Sequence, residues 1–154
     1  MLNIVEGNKN IEDAKFIYEL KYEEKALEYS FNQNKYTFDE FFDIYKEKYF
    51  SNDVPPYIVC LEKEKIAFIG LLKCDNYYTI GINLHKNYRG KGLGKNILNL
   101  FINKIKEYKF KCKIIAKIKH FNIPSIKTFE NIGFKYIMDE TINNQQVKVF
   151  EYLI

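Results

Sequence analysis

The apolar positions of the chain change period several times, and each change marks an element. Leu2 to Val5 is a short apolar stretch suited to a first strand. From Ile11 the residues Ala14, Phe16, Ile17 and Leu20 recur at helical spacing, and the pattern runs on less cleanly to Leu27, which predicts one helix or two in succession. Thr37 stands three residues before Glu40 and opens the run Phe38, Phe41, Phe42, Tyr45 and Tyr49, the signature of a capping box and a further helix. Pro55 and Pro56 discourage helix. Beyond them Tyr57 to Leu61 and Ile66 to Leu72 read as a hairpin around the charged turn Glu62 to Lys65. Tyr77 to Leu84 is the next strand, and its Gly81 predicts a bulge or a close backbone approach.

The loop His85 to Lys91 leads into a helix whose apolar face is Leu93, Ile97, Leu100, Phe101, Ile105 and Tyr108. Lys113 to Ile118 is a fifth strand, Pro124 to Asn131 a short helix stopped by Gly133, and Phe134 to Met138 and Val147 to Leu153 are the last two strands. A helix between the fourth and fifth strands allows those two to lie parallel through a right-handed crossover, with antiparallel hairpins on either side. The fold class is therefore α/β with a mixed sheet. No repeat, low-complexity tract or Pro/Gly/Ser linker interrupts the chain, and 154 residues suit one domain over 1–154, since domains commonly hold roughly 100 to 200.

Composition narrows the function. Hydrophobic residues make up 47%, with 13 Tyr and 13 Phe, enough to build a core. The balance of 24 basic against 20 acidic residues leaves +4, short of the concentrated footprint of a nucleic-acid binder, so no nucleic-acid partner is expected. Cys60, Cys74 and Cys112 are odd in number, form no CxxC and have no His at zinc-ligand spacing. Three reduced thiols and no metal follow. No apolar run approaches the roughly 18 residues of a membrane span, and MLNIVEGNKN lacks the basic flank and apolar stretch of a signal peptide. A cytoplasmic protein without a membrane partner is expected.

The candidate chemistry lies in Arg89-Gly90-Lys91-Gly92-Leu93-Gly94, between a predicted strand and a predicted amphipathic helix. Glycine lets the backbone turn tightly and approach a ligand, and a helix start turns free N–H groups and partial positive charge outward, which suits a pyrophosphate. A dinucleotide fingerprint requires GxGxxG, but these glycines are spaced two and two. A P-loop requires four residues between Gly and Gly-Lys and then Ser or Thr; here three intervene and Asn96 follows Lys95. A glycine-rich turn with no ligand is the plain alternative. Arg89, the one Arg beside 23 Lys, weighs against it, because a planar fork reads phosphate oxygens as Lys cannot.

The stretch Ile80 to Gly94, IGINLHKNYRGKGLG, resembles the acetyl-coenzyme A signature of the GNAT superfamily of N-acetyltransferases: Arg or Gln, two residues, Gly, one residue, Gly or Ala, filled by Arg89, Gly92 and Gly94. Downstream, Asn122, Ser125, Phe129 and Gly133-Phe134 resemble the same family's Asn, small residue, aromatic and Gly-Phe series. The resemblance covers residues 57–138 and extends weakly over the first fifty. It implies a mostly antiparallel sheet whose central parallel strands splay to admit acetyl-CoA as cosubstrate, flanked by helices. Ile82 and Leu84 would meet the pantetheine arm through main-chain groups, and Arg89, Gly90, Lys91, Gly92, Leu93, Gly94 and Lys95 would hold the pyrophosphate. Asn122, Ser125 and Phe129 would lie along the coenzyme arm. A plain helix cap also accounts for Asn122, and a helix stop followed by a core aromatic accounts for Gly133-Phe134.

Similar enzymes use direct attack of a substrate amine on the thioester, with a Glu on the fourth strand as base and a Tyr on the last helix donating to the thiolate. The matching positions hold Thr79 and Phe129, so neither role is filled. Thr79 is then a substrate-binding candidate that orients a water or the acceptor, while main-chain N–H groups polarise the thioester carbonyl and positioning supplies acceleration. Among Glu19, Glu23, Glu24 and Glu28, Glu24 is the candidate catalytic residue, as amine anchor or water-mediated base; a solvated face with Lys21 and Lys25 as partners is the competing account. His85 and His120 have no clustered acids or cysteines and read as structural.

The run Glu28 to Asn32 resembles GNAT enzymes that acetylate nucleotide-linked amino sugars, without the arginines those carry there. Tyr18, Tyr22, Tyr29 and Tyr36 suit stacking on a sugar or base, or a core. The expected partner is a small-molecule amine, and a homodimer is compatible with the sequence. A protein N-terminus or ribosomal protein as acceptor, and a non-catalytic acyl-CoA-sensing module, are the alternatives.

Overall fold

A computed structural model describes residues 1–31, 35–51, 53–109 and 111–154. The elements are β1 (Leu2–Glu6), α1 (Ile11–Lys21), α2 (Glu24–Glu28), α3 (Phe38–Ile44), β2 (Tyr57–Leu61), β3 (Glu64–Lys73), β4 (Tyr78–Leu84), α4 (Leu93–Glu107), β5 (Lys113–Lys119), α5 (Ile123–Ile132), β6 (Lys135–Ile142) and β7 (Gln145–Leu153). The helical region from Ile11 is thus two helices. The capping box at α3 is present in both directions, Thr37 accepting from the Glu40 N–H and Glu40 from the Thr37 N–H. The aromatic run beyond it continues as a single π-helical turn, Tyr45–Tyr49.

The strands form one sheet in the order β1-β2-β3-β4-β5-β7-β6. Every neighbouring pair is antiparallel except β4 and β5. Asn143 and Asn144, both at positive φ, make the tight turn from β6 to β7, a conformation that Asn tolerates. Gly81 pairs in unbroken register with Gly70, so of the bulge and the close approach that it allowed, the bulge does not occur.

Two cores set the layers. Ile80, Ile82 and Leu84 pack with Ile97, Phe101 and Ile105 of α4 and Phe129 of α5 in the larger one. On the opposite face Ala14, Ile17 and Leu20 of α1 close with Phe41, Tyr45 and Tyr49 over Phe68. Because side chains alternate along a strand, Thr79, Gly81 and Asn83 face α1 to α3 while their even-numbered neighbours face α4 and α5.

Candidate active site

Strands β4 and β5 are joined only at Tyr78–Ile114 and Thr79–Ile115, and then part. Each is held along its other edge, β4 by β3 from Tyr78 to Leu84 and β5 by β7 from Lys113 to Lys119, so the divergence opens a gap instead of unravelling the sheet. The register also fixes which main-chain groups face the gap. His85 N–H donates to Ile66 O at 2.7 Å and Cys74 N–H to Tyr77 O at 2.8 Å, so odd-numbered residues of β4 exchange their bonds with β3. Ile80, Ile82 and Leu84 turn theirs toward β5. The cleft so formed holds about 340 Å³ and is lined by Ile80 to Leu84, Ala116 to Lys119, Arg89, Asn122, Ser125 and Phe129, with Lys21 and Tyr29 from the helical side.

The start of α4 lies beyond Arg89. Gly90 and Gly92 adopt φ of 74° and 75°, a left-handed backbone that glycine takes without strain, and a Cβ built on either meets nothing within 4 Å. No side chain caps Gly92, the N-cap of this fifteen-residue helix, so the first-turn N–H groups of Leu93, Gly94 and Lys95 have no side-chain acceptor there. Gly90, Lys91, Gly92 and Lys95 are exposed. An anion can approach the backbone at these two glycines without meeting a side chain of their own.

Arg89 departs from expectation. Its Nη1 and Nη2 donate to Oε1 and Oε2 of Glu23 at 3.2 and 3.0 Å, and its Nε donates to Leu84 O at 3.1 Å. The fork therefore closes on a carboxylate of α2 and a strand carbonyl, where a phosphate had been expected. The Arg89 guanidinium holds the Glu23 carboxyl down to about 2, helped by the N–H groups of Lys25 and Ala26 that the same carboxylate caps. Glu24, by contrast, is exposed, opens α2 and lines none of the cavities at the strand gap. Its neighbour Glu23 is the carboxylate that caps α2 and braces Arg89. Of the lysines weighed as partners of this face, Lys25 pairs with Glu28 at 3.3 Å.

At the far end of the cleft Asn122 caps α5, its Oδ1 accepting from Ser125 N–H at 3.4 Å, and also lines the cleft with Ser125, so cap and wall are one residue. Phe129 is 4% exposed and packs edge-on against Phe134, with no hydroxyl to offer a thiolate. Gly133 ends α5 at φ 115° and Phe134 is core. His85 caps the turn Lys86–Tyr88 through Nδ1, and His120 Nδ1 lies 3.3 Å from Gln146 O, both local structural roles.

On the opposite face of β4 two further hollows open toward α1 to α3. The smaller, about 90 Å³, is lined by Thr79, Gly70, Gly81, Phe68, Leu72 and Lys21. The larger, about 260 Å³, is lined by Tyr22, Tyr36, Tyr49, Lys48 and Asn83, again with Lys21. Thr79 Oγ1 lies 3.5 Å from Leu72 O, a long contact that leaves its lone pairs available. The paired glycines Gly70 and Gly81 give the sheet no side chain here, and that absence makes the floor of the smaller hollow. Tyr22 accepts from Tyr36 N–H at 3.1 Å and Tyr18 donates to Tyr36 O at 2.7 Å; Tyr22 and Tyr36 wall the space, while Tyr18 and Tyr36 pack against the smaller core.

Three participants escape a reading of the sequence. Lys21 ends α1 and borders the cleft and both hollows. Lys119 is 3% exposed in the cleft wall, its Nζ donating to Glu28 O at 2.7 Å, and burial lowers its pKa. Gly70 sits in an apolar run where nothing local marks it. The available signal was positional: Lys119 follows an alternating apolar strand on the face that Ile115 and Lys117 share.

Among the described residues no cluster of His, Cys, Asp and Glu could hold a metal, and no helix is long and apolar enough to cross a membrane. The three cysteines are free. The chain is 35% identical over 69 residues to a spermine/spermidine N(1)-acetyltransferase of Bacillus subtilis, a match that spans 44% of this chain and only 45% of that relative. Its fold is similar to that of spermidine N-acetyltransferase from Vibrio cholerae in complex with CoA and spermine, with a TM-score of 0.84, 20% identity and coverage of 99% of this chain and 95% of that one. An aminoglycoside acetyltransferase in complex with coenzyme A gives 0.76 at 17% identity, covering 99% and 94%. The model of the Acetyltransferase (GNAT) family matches residues 16–134, which takes in the second half of α1, α2, α3, the strand gap, the glycine loop and α5. With parted parallel strands, an uncapped glycine-led helix and that match in one continuous segment, the chain belongs to the GNAT family of acetyltransferases.

Proposed function

We propose that this protein transfers an acetyl group from acetyl-CoA to the primary amine of a small molecule by direct attack. The observation that carries the proposal is the gap between β4 and β5, which ends at the uncapped start of α4. Main-chain groups of Ile82 and Leu84 are turned toward that gap, where the amides of a pantetheine arm find strand-like partners. The Leu84 carbonyl is already taken by Arg89, so its N–H is the group on offer. The backbone from Gly90 to Lys95 accommodates the pyrophosphate, with the Glu23–Arg89 pair holding the loop in place.

The acceptor approaches through the hollows on the α1 to α3 side, beside Thr79 and Gly81. Its neutral nitrogen attacks the thioester carbonyl, a C–N bond forms, the C–S bond breaks, and the sulfur leaves as thiolate. Phe129 supplies no proton to that thiolate and Thr79 no base to the amine, so solvent exchanges both protons and the chain contributes alignment and main-chain N–H dipoles. The relatives named above act on spermine, spermidine and aminoglycosides by name, which supports a small amine over a protein acceptor. They lend no support to a nucleotide-linked amino sugar, and Asn32 of the stretch that suggested it lies outside the described residues.

Calorimetry with acetyl-CoA and a thiol-release assay across amine classes test the proposal. Micromolar binding with release confined to one amine class is expected, and binding without release for any amine would reassign the chain to coenzyme sensing.

A further inference from the structure

The charge lining the acceptor hollows restricts the acceptor, an inference that rests on the acetyl-transfer reading above. Among the described residues no Asp or Glu lines the cleft or either hollow, whereas Lys21, Lys48, Lys117 and Lys119 do. Two of these four are accounted for, Lys117 by Glu140 at 3.5 Å and Lys119 by Glu28 O at 2.7 Å. Lys21 and Lys48 have no carboxylate partner among the described residues, although Lys25 and Lys46 nearby pair with Glu28 and Asp43. Of the acids on α1 and α2 that flank Lys21 in sequence, Glu23 is held by Arg89, Glu28 by Lys25, Glu19 borders a separate cavity, and Glu24 is exposed and lines neither the cleft nor the hollows.

Lys21 lies at the end of α1, where a cation complements the helix dipole. The dipole accounts for its sign. It does not account for its place at the junction of all three cavities, where coenzyme and acceptor must meet. A polyamine carries two or more ammonium groups, and in this space it would face two lysines and no carboxylate, a like-charge arrangement in partly desolvated surroundings. An amine that also bears an oxyanion would reverse the sign of that interaction.

We propose that the acceptor is a small amine carrying a carboxylate or another oxyanion, with Lys21 gripping the anion beside the reacting nitrogen and Lys48 guarding the outer end of the hollow. An α-amino acid has this chemistry in its smallest form, since two bonds separate nitrogen from carboxylate carbon. Its side chain would occupy the space among Tyr22, Tyr36, Phe41 and Tyr49.

The experiment uses the full chain with saturating acetyl-CoA, binding being verified by calorimetry, and measures thiol release. Alanine, leucine, phenylalanine and glutamate are each compared with their carboxamides, decarboxylated amines and aminoalkylphosphonates, with spermidine alongside. At least one acid should exceed its carboxamide and decarboxylated amine by about tenfold or more in kcat/KM, and Lys21→Met should bring that ratio toward one. The phosphonate arm tells a carboxylate from a tetrahedral anion as the preferred group. Preference for spermidine or for the decarboxylated amines, or a ratio that survives both Lys21→Met and Lys48→Met, would overturn the anionic acceptor and leave acetyl transfer standing. Coenzyme binding without release from any amine would overturn acetyl transfer itself and this inference with it.

Discussion

Glu23 and Arg89, 66 residues apart, form a two-point ion pair in which one carboxylate both caps α2 and clamps the loop ahead of α4. The side chains are 21% and 32% exposed, enough burial for the pair to persist in salt. It ties the helix beside the hollows of the α1 to α3 side to the backbone proposed to face the coenzyme. A substitution on either side should therefore be felt on the other.

Arg89→Ala and Glu23→Ala are each expected to destabilise the fold by about 1 to 3 kcal/mol, with marked non-additivity in the double variant. Both should weaken acetyl-CoA binding, because the loop loses its brace in either case. Calorimetry distinguishes this from phosphate anchoring: if Arg89→Ala alone weakens binding, the fork serves the ligand. Arg89→Lys should rescue little, since a point charge cannot span both oxygens.

Gly92 tests the loop backbone. Gly92→Val should abolish coenzyme binding but also lower stability by about 1 to 2 kcal/mol, because a β-branched residue resists φ of 75°. Gly92→Asn tolerates the left-handed backbone and still intrudes where the pyrophosphate is proposed to lie. It should keep its melting temperature and lose affinity; an Asn variant with full affinity would remove Gly92 from the site.

Gly81→Val probes the acceptor side alone. A Cβ there meets nothing within 4 Å and the backbone is ordinary strand, so the variant should fold at least as well as the parent. Its side chain would occupy the hollow next to Thr79. The acceptor KM is expected to rise about tenfold or more, with acetyl-CoA affinity preserved in calorimetry.

The pH profile of kcat/KM should rise with deprotonation of the acceptor amine and then level off, since Thr79 and Phe129 do not titrate. Glu23 adds no limb in this range. Its folded pKa is depressed, to about 2 from 4.5, so the stability it contributes is complete above the unfolded value and is lost only as pH falls toward 2. A descending limb at alkaline pH, unrelated to substrate or coenzyme, would reveal a group of the cleft that must stay protonated, as a proton donor or as a charge that holds the acceptor.

Local signals carried most of the fold. The capping box at Thr37, the period of α4 and the helix between β4 and β5 each depend on residues a few positions apart. The glycine loop was legible for the same reason. What was not legible depends on long-range pairing. Glu23 and Glu24 are equivalent in a run of acids until Arg89 selects one of them. Gly70 and Gly81 become a floor only when the β3–β4 register sets them opposite each other. For Lys119 only strand parity hinted at burial, and its partner, a backbone carbonyl on α2, leaves no mark in the neighbouring residues.

The parted strands also make the melting temperature an assay. Main-chain groups of β4 that face the gap are left without strand partners, so a ligand that pairs with them binds the folded chain and not the unfolded one. At a hundred times its dissociation constant such a ligand adds about 2.7 kcal/mol. For a chain of this size each kcal/mol moves the midpoint by roughly 2 to 4 °C, so saturation corresponds to about 5 to 10 °C. Thermal shift measured against acetyl-CoA, longer acyl-CoAs and free CoA would rank the acyl groups the gap accepts before any acceptor amine is known.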